Sequence, residues 1–569
     1  MSITLLFIAV LIGPILYLVV TLAGEKPKDY DDYHYGGRSI PLHKFADATV
    51  TYAIQVAAIT LFATWGYNTG LWTIWVPIFW AMGYFLIAYL LEKGSLDSFL
   101  QQESLGTIHQ FVSDKGKLRF LGALAALASL LGIAGPAMFE AQYVGELVVR
   151  IGSASLPSET AISIVDKYSP LFFVSFLILA SIYMLYGGFR AIVNTDVYQL
   201  GIGYSGFSIV LSILLYSVAE SGYKFSSVLI LSTLFSASAA LLFYWKKVFT
   251  KSFQVEKEWV SELPLYIGLI SYGSSLIISV VMTDSVDSFL SANTWTEFSR
   301  QNQIFNPLSL GGMSILSLLI ANSLYQVVDI GQWQRLASVQ MDKANYGDSR
   351  KKLASTIRMT GTYSAFTWVV AVFFGMTLKY LSSNIASNPY DATALFLIQY
   401  AEGSAIQQFV VFLMLVSLVA IMFSTLDSLV SSITFTIHND WLVSLNDKFK
   451  TIAVGRLFTA GFLLMAFYLY GLLSARVNNF ADILYSCWAF QIALLPIVFV
   501  ALKKGTIPGW WAVISLLGGM IGAIIPVSFP EYEMSPYEFA PILSLAIASI
   551  LMGIGVYFSR TDGGINNAS

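Results

Sequence analysis

The chain has 569 residues, of which 56% are apolar and only 11% charged, where a soluble domain carries about a quarter charged residues. So apolar a chain precipitates unless lipid replaces water around much of its surface, and a formal net charge of −3 gives no reason to invoke nucleic acid. A transmembrane barrel is excluded as well: its strands alternate apolar and polar over roughly ten residues, whereas this chain shows continuous apolar runs of about twenty, the length that carries a helix across ~30 Å of hydrocarbon.

In chain order, the runs predict an all-α polytopic membrane protein with about fifteen transmembrane helices: 4–22, 46–69, 72–92, 118–148, 168–187, 194–219, 225–246, 261–282, 307–330, 355–380, 406–436, 452–474, 480–503, 508–527 and 538–558. The first lacks a basic leader and a small-residue cleavage site before the polar stretch Gly24–Asp32, so it is expected to be a retained helix with its N-terminus outside. With that orientation only Arg150, Lys167, Lys224, Arg300, Lys379 and Arg476 fall outside, and the remaining 25 of the 31 basic residues face the cytoplasm. Basic residues concentrate in short cytoplasmic loops, so the asymmetry supports both the helix count and a cytoplasmic C-terminus, in a bacterial-type inner membrane.

Several function classes lack their signatures. No GxxxxGK[ST] loop suits an ATP-driven pump, no HExxH or Cys cluster has metal-ligand spacing, and nothing resembles a potassium filter. His34, His43, His109 and His438 are scattered at or near cytoplasmic helix ends, and the single Cys487 lies in an apolar span, where it reads as a small packing residue. The longest polar stretches, 283–306 and 335–354, read as loops. One transmembrane domain over 1–569 is therefore expected, and no enzyme.

The most informative segment is Tyr186-Gly187-Gly188-Phe189-Arg190-Ala191-Ile192-Val193-Asn194-Thr195-Asp196-Val197-Tyr198-Gln199, which joins two spans on the cytoplasmic side. Its paired glycines end one helix where positive φ or close packing is needed, and Thr195 and Asp196 begin the next. The segment resembles the GG-x-x-A-[VI]-x-x-TD-x-x-Q signature of the sodium/solute symporter family. Asp32-Tyr33-His34-Tyr35-Gly36-Gly37-Arg38-Ser39 is similar to that family's loop between its first two helices. Ala321-Asn322-Ser323-Leu324-Tyr325 with Gln334-Arg335, and Met422-Phe423-Ser424-Thr425-Leu426-Asp427-Ser428 with Asn439-Asp440, resemble its sixth and eighth core helices.

The resemblance implies a LeuT-type fold of two inverted five-helix repeats, here 46–219 and 307–503, with substrate and ion near the midplane at broken helices. It leaves 4–22 as an extra N-terminal helix, 225–282 as an inserted pair and 508–558 as C-terminal helices. It implies sodium as coupling ion and a small polar solute as cargo, carried across the lipid bilayer.

Sodium, a hard cation, prefers oxygen ligands. Ser424, Asp427 and Ser428 stand at i, i+3 and i+4 on one helix face, and Ser431, Ser432 and Thr436 extend the stripe toward the cytoplasm like an exit path. Helix packing through small residues is the competing explanation of such a stripe. By resemblance, the carbonyls of Thr51 and Ile54 and the hydroxyls of Ser424 and Thr425 form the principal sodium site. Asp196, with its neighbouring serines, belongs to a second site, where Asp427 stands in place of a serine. Intramembrane carboxylates are rarely idle, and a proton instead of sodium stays open as coupling ion.

For the solute, the resemblance points to Ala53, Gln55 and Ala58 on the first core helix, to Asn322 as a polar contact and to Tyr325 as the aromatic that closes the site from inside. Glu140 and Gln142 are odd polar residues on an otherwise apolar helix. No arginine lies between Leu121 and Phe139 or in the first core helix, so a clamp for an acidic sugar is missing. A neutral sugar, polyol, amino acid or amine is expected, with Trp65, Trp72, Trp75 and Trp80 as aromatic faces or interface anchors. A non-transporting solute receptor on the same fold is the rival class.

Overall fold

The computed structural model describes residues 1–102, 105–220, 312–381, 392–461, 480–528 and 536–565. Their order is α1 (Ile3–Leu22), α2 (Tyr30–Tyr35), α3 (Leu42–Ala53), α4 (Val56–Thr69), α5 (Trp75–Glu92), α6 (Asp97–Leu100), α7 (Ile108–Gly116), α8 (Arg119–Gly152) and α9 (Ser158–Glu220), then α10 (Gly312–Leu319), α11 (Tyr325–Val328), α12 (Ile330–Ser338), α13 (Tyr346–Leu381), α14 (Ala392–Ala401), α15 (Ala405–Thr436), α16 (Ile452–Gly461), α17 (Phe480–Ile492), α18 (Leu495–Lys504), α19 (Gly509–Ser528) and α20 (Pro536–Ile565). Among the described residues no strand forms beyond one isolated bridge, Ile40 with Val339.

Ten of the described helices are long and apolar enough to cross a membrane, eleven with the bent pair α3–α4. The 63-residue α9 is two crossings, because Gly188 leaves helical geometry with φ 60° and ψ −152°. A Cβ there would approach the Tyr33 carbonyl to 2.4 Å, so only glycine permits both the turn and the contact. Twelve of the fifteen expected crossings thus fall on described helices. The pair 225–246 and 261–282 lies outside the described residues, and 452–474 is described only through α16.

The outer face explains the composition. α1 exposes Ile3, Phe7, Ile8, Ile12, Ile15 and Val19, and α20 exposes Ile550, Tyr557 and Phe558. An apolar belt of that extent aggregates in water and is satisfied by lipid tails. The chain is a multi-pass membrane protein. Its interior is close-packed where α4 crosses α13. Gly66 and Gly375 let the two backbones touch, since a Cβ on either would lie within about 2 Å of the other helix's carbonyl, at Val372 or Ala63. α15 packs against α9, α8, α3 and α1, and is the element on which the interior is organised.

Two spans are interrupted. α3 and α4 meet at Ile54–Gln55, both residues extended, with a bend of 50°. The span Gly312–Ser338 contains a π-turn at Ile320–Leu324 and stops being helical at Asp329, with ψ 117°. Breaks of this kind are tolerated at membrane depth only where protein or a cavity receives the freed backbone groups.

Candidate functional site

The first break frees donors and acceptors on opposite sides. The N–H groups of Val56 and Ala57, which open α4, donate to Glu140 Oε2 at 3.1 Å and Oε1 at 3.0 Å. Glu140 is wholly buried, and a carboxylate on a helix N-terminus satisfies both the free donors and the helix dipole. On the other side, the Ile54 carbonyl accepts from Thr425 Oγ1 at 3.4 Å, and the Thr51 carbonyl accepts from Ile54 N at 3.2 Å. Thr51, Ile54, Leu200, Tyr204, Thr367 and Ile421 are among the residues that line a cavity of about 10 Å³ beside the break, at the lower limit for holding one water.

The facing side of α15 is all oxygen. Ser424, Thr425, Asp427 and Ser428 are fully buried. Ser424 donates to Asp196 Oδ1 at 2.8 Å. Asp427 Oδ2 accepts from Tyr183 OH at 2.5 Å and from Gln199 Nε2 at 3.5 Å. Among the described residues, Asp196 Oδ2, Asp427 Oδ1 and Gln199 Oε1 have no hydrogen-bond partner. Orphaned carboxylate oxygens at such depth are costly unless a positive charge meets them. Oxygen donors without a His/Cys/Asp/Glu metal cluster, among the described residues, suit a hard cation rather than a transition metal.

The residues expected to hold solute divide into two groups. Ala53, Gln55 and Ala58 are buried at the break itself. Asn322 sits in the π-turn, donating Nδ2 to Leu318 O at 2.8 Å and to Tyr485 OH at 3.2 Å. Tyr325 stacks on Trp488 at 4.6 Å, and Trp488 meets Tyr485 edge-on at 5.4 Å and Trp80 at 6.0 Å. Asn322 and Tyr325 therefore come together with an aromatic wall. Glu140 and Gln142 do not share a face: two residues apart on a helix lie about 200° apart, and both Glu140 oxygens are spent on the α4 backbone. Trp80 is a core residue bonded to Ser364.

Tyr183, Gln199, Tyr52 and Asp329 were missed by sequence reasoning. Gln199 closes the fourteen-residue motif and was legible there. Tyr183 stands less than two turns before Gly188 and carries no local signal. The motif's Arg190 bonds Asp32 and Ser39, so two of the four recognised segments meet each other.

By sequence, no family model and no curated protein matches the chain. By structure, it is similar to a substrate-bound, outward-open Na⁺-coupled sialic acid symporter, with a TM-score of 0.63 at 12% identity over 97% of each chain. The chain has that protein's LeuT-type fold. Mhp1, a nucleobase-cation-symport-1 family transporter in a closed conformation with bromovinylhydantoin bound, overlaps 93% of this chain and 95% of its own, at 12% identity and a TM-score of 0.42. At such identity the likeness is one of backbone course, and side-chain roles rest on this chain's own geometry.

Proposed function

We propose that this protein is a sodium-coupled secondary symporter that imports a small polar organic solute by alternating access, and is not an enzyme. One observation carries the proposal: the Thr425 hydroxyl of α15 turns onto the Ile54 carbonyl at the break between α3 and α4. A cation held by the carbonyls of Thr51 and Ile54 and the hydroxyls of Ser424 and Thr425 joins two elements that pack more loosely without it. Asp196 and Asp427 supply a second, acidic set of oxygens, which Ser428 joins only when its present donor Arg335 withdraws. Sodium entering from outside favours the state in which these elements are clamped. Solute then completes an occluded site at Ala53, Gln55, Ala58, Asn322 and Tyr325, and rocking of one repeat (46–219) against the other (307–503) opens it inward. Each charge that crosses 100 mV contributes ~2.3 kcal/mol, about forty-fold in solute accumulation.

The solute is a neutral sugar, polyol, amino acid or amine: Asn322 and Gln55 offer polar contacts beside aromatic faces, and neither α3 nor α4 contains an arginine. The setting is a bacterial-type inner membrane with the N-terminus outside and the C-terminus in the cytoplasm, as the basic residues indicate. Glu140 acts here as the cap of α4, and Gln142 as a residue of its other face.

Uptake of a labelled neutral-solute library into proteoliposomes tests the proposal. An inward sodium gradient with a negative interior is expected to concentrate at least one member, and no accumulation of any member overturns it. The orphaned oxygens of Asp196 and Asp427 favour one second reading, proton coupling. It predicts uptake driven by an imposed pH gradient without sodium.

A further inference from the structure

Below the oxygens of the break, the hydroxyl stripe of α15 is taken up by two side chains of α12. Arg335 Nη2 donates to Ser428 Oγ at 2.7 Å. Gln334 Nε2 donates to Ser431 Oγ at 3.0 Å, and Ser432 Oγ donates to Gln334 Oε1 at 2.7 Å. Every hydroxyl from Ser428 to Ser432 is thereby engaged.

Arg335 is only 1% exposed. Its Nε reaches Ala48 O and its Nη1 reaches Gly331 O, each at 3.3 Å, and its guanidinium lies 4.1 Å from the Tyr52 ring. Gln334 Nε2 also donates to the His34 carbonyl at 2.6 Å. Ile40 N and Ser338 O at 3.1 Å, with Gln340 N and Ile40 O at 2.8 Å, stitch the same end of α12 to the chain before α3. One short helix thus ties α2, α3 and α15 together on the cytoplasmic side of the candidate ion site.

We propose that Gln334 and Arg335 are the latch on the route by which the ion leaves: they occupy the hydroxyl oxygens of Ser428, Ser431 and Ser432, and release requires the pair to withdraw. The proposal rests on the sodium reading for the identity of the ion, but not for the existence of the latch. A guanidinium is charged at every physiological pH. A cation therefore cannot share Ser428 Oγ with it at close range without like-charge repulsion in a low-dielectric site. The Ser428 oxygen changes hands between Arg335 in the closed state and the ion, with its water, in the open one. Arg335 and Gln334 are positioning residues here, acting through the helix they hold shut.

Thiol accessibility in the full-length protein tests this. In a Cys487→Ala background, Ser431→Cys puts a probe under the latch while keeping the Arg335–Ser428 and Gln334–Ser432 bonds. A charged methanethiosulfonate reagent is applied from the cytoplasmic side of oriented vesicles, and the labelling rate is read with and without sodium. Removing the buried Arg335–Ser428 hydrogen bond together with the guanidinium's contacts to Ala48, Gly331 and Tyr52 is expected to raise the rate at least about tenfold in Arg335→Ala, with a smaller rise in Gln334→Ala and partial restoration by Arg335→Lys. Gln334→Ala decides the matter alone if Arg335→Ala does not fold. Labelling unchanged in the folded variants overturns the latch. Faster labelling in the variants while sodium alters nothing in the parent supports the latch and overturns the sodium reading instead.

Discussion

The two interrupted helices solve the same problem differently. At the first break, the opening N–H groups of α4 are met by Glu140, a residue 84 positions away on another helix. At the second, the opening turn of α12 is met by its own first carboxylate: Asp329 Oδ1 accepts from Gly331 N at 3.0 Å and from Tyr52 OH at 2.8 Å. The first break is held by tertiary structure and moves only if α8 moves. The second carries its cap with it, although Tyr52 of α3 shares that carboxylate and Tyr84 accepts from Gln332, so under the proposed latch α12 moves with its own cap once these contacts, Gln334 and Arg335 let go. Under the proposed function, the break that would build an ion site benefits from being fixed, and the break that would build a gate benefits from carrying its own cap.

The largest test of this contrast is Glu140→Ala. It leaves two buried backbone donors unmet and is expected to destabilise the protein by roughly 3 kcal/mol, with Glu140→Gln losing about half as much. Thermal unfolding in detergent measures both. Near-native stability in Glu140→Ala would mean that the first break holds itself, and the distinction would vanish.

Next come the proposed ion ligands. Thr425→Ala is expected to raise the sodium needed for half-maximal uptake about tenfold, equivalent to ~1.4 kcal/mol, and Asp196→Asn should raise it in the same direction. Because Thr425 touches the fixed break, its loss should leave thermal stability in sodium-free buffer nearly unchanged, unlike Glu140→Ala. Sodium dependence unchanged in both variants removes the site assignment.

Smaller again is Asp329→Asn. Asparagine still caps a helix, so only the charge at the N-terminus of α12 is lost, about 1 kcal/mol. The expected signature is a faster cytoplasmic labelling of Ser431→Cys with little change in sodium affinity. A shift in sodium affinity as large as that of Thr425→Ala would show the two breaks to be one mechanical unit.

What the sequence made legible follows from who the partner is. Runs of about twenty apolar residues fix crossings because lipid leaves a helix no alternative. Asp196, Ser424 and Asp427 stood out because polar groups are rare in such runs. The break at Ile54–Gln55 was not written locally: Thr51–Ala58 contains neither Gly nor Pro, and what holds it open is a carboxylate on α8. Glu140 was conspicuous, yet its partners are backbone N–H groups, which leave no residue signature. Arg335 was noticed only as the end of a motif, for a similar reason: two of its four contacts are the carbonyls of Ala48 and Gly331. Lipid-facing positions need only be apolar, which is why the fold is shared at 12% identity, and the segments that resemble the family lie at helix ends, breaks and the hydroxyl stripe of α15.

The smallest effect concerns the gate side alone. His438 Nε2 lies 2.8 Å from the Phe449 carbonyl, an acceptor only, so it carries a proton, and one further proton lies between His438 Nδ1 and His34 Nε2, also 2.8 Å apart. Both rings are packed with Tyr30 and Phe435. Tyr33, Arg456, the Asp31–Lys450 pair and Asp440 stand around them. Burial first, and the neighbouring His438 second, hold His34 well below the usual 6.5. A histidine whose folded pKa is depressed binds fewer protons folded than unfolded, so its contribution is intact above about 6.5 and is lost as pH falls below that value. From pH 7.5 to 6.0 the loss is about 0.8 kcal/mol if His34 stays neutral in the folded state. Since Gln334 holds the His34 carbonyl, acidification should loosen the α12 end; because the reagent attacks the thiolate, whose fraction falls with pH, the readout is the labelling rate of Ser431→Cys divided by that of the same cysteine in His34→Gln, and this ratio should rise from pH 7.5 to 6.0. The fixed break should not notice: sodium affinity in His34→Gln should match the parent at pH 7.5, and a change there would tie the histidine pair to the ion rather than to the gate.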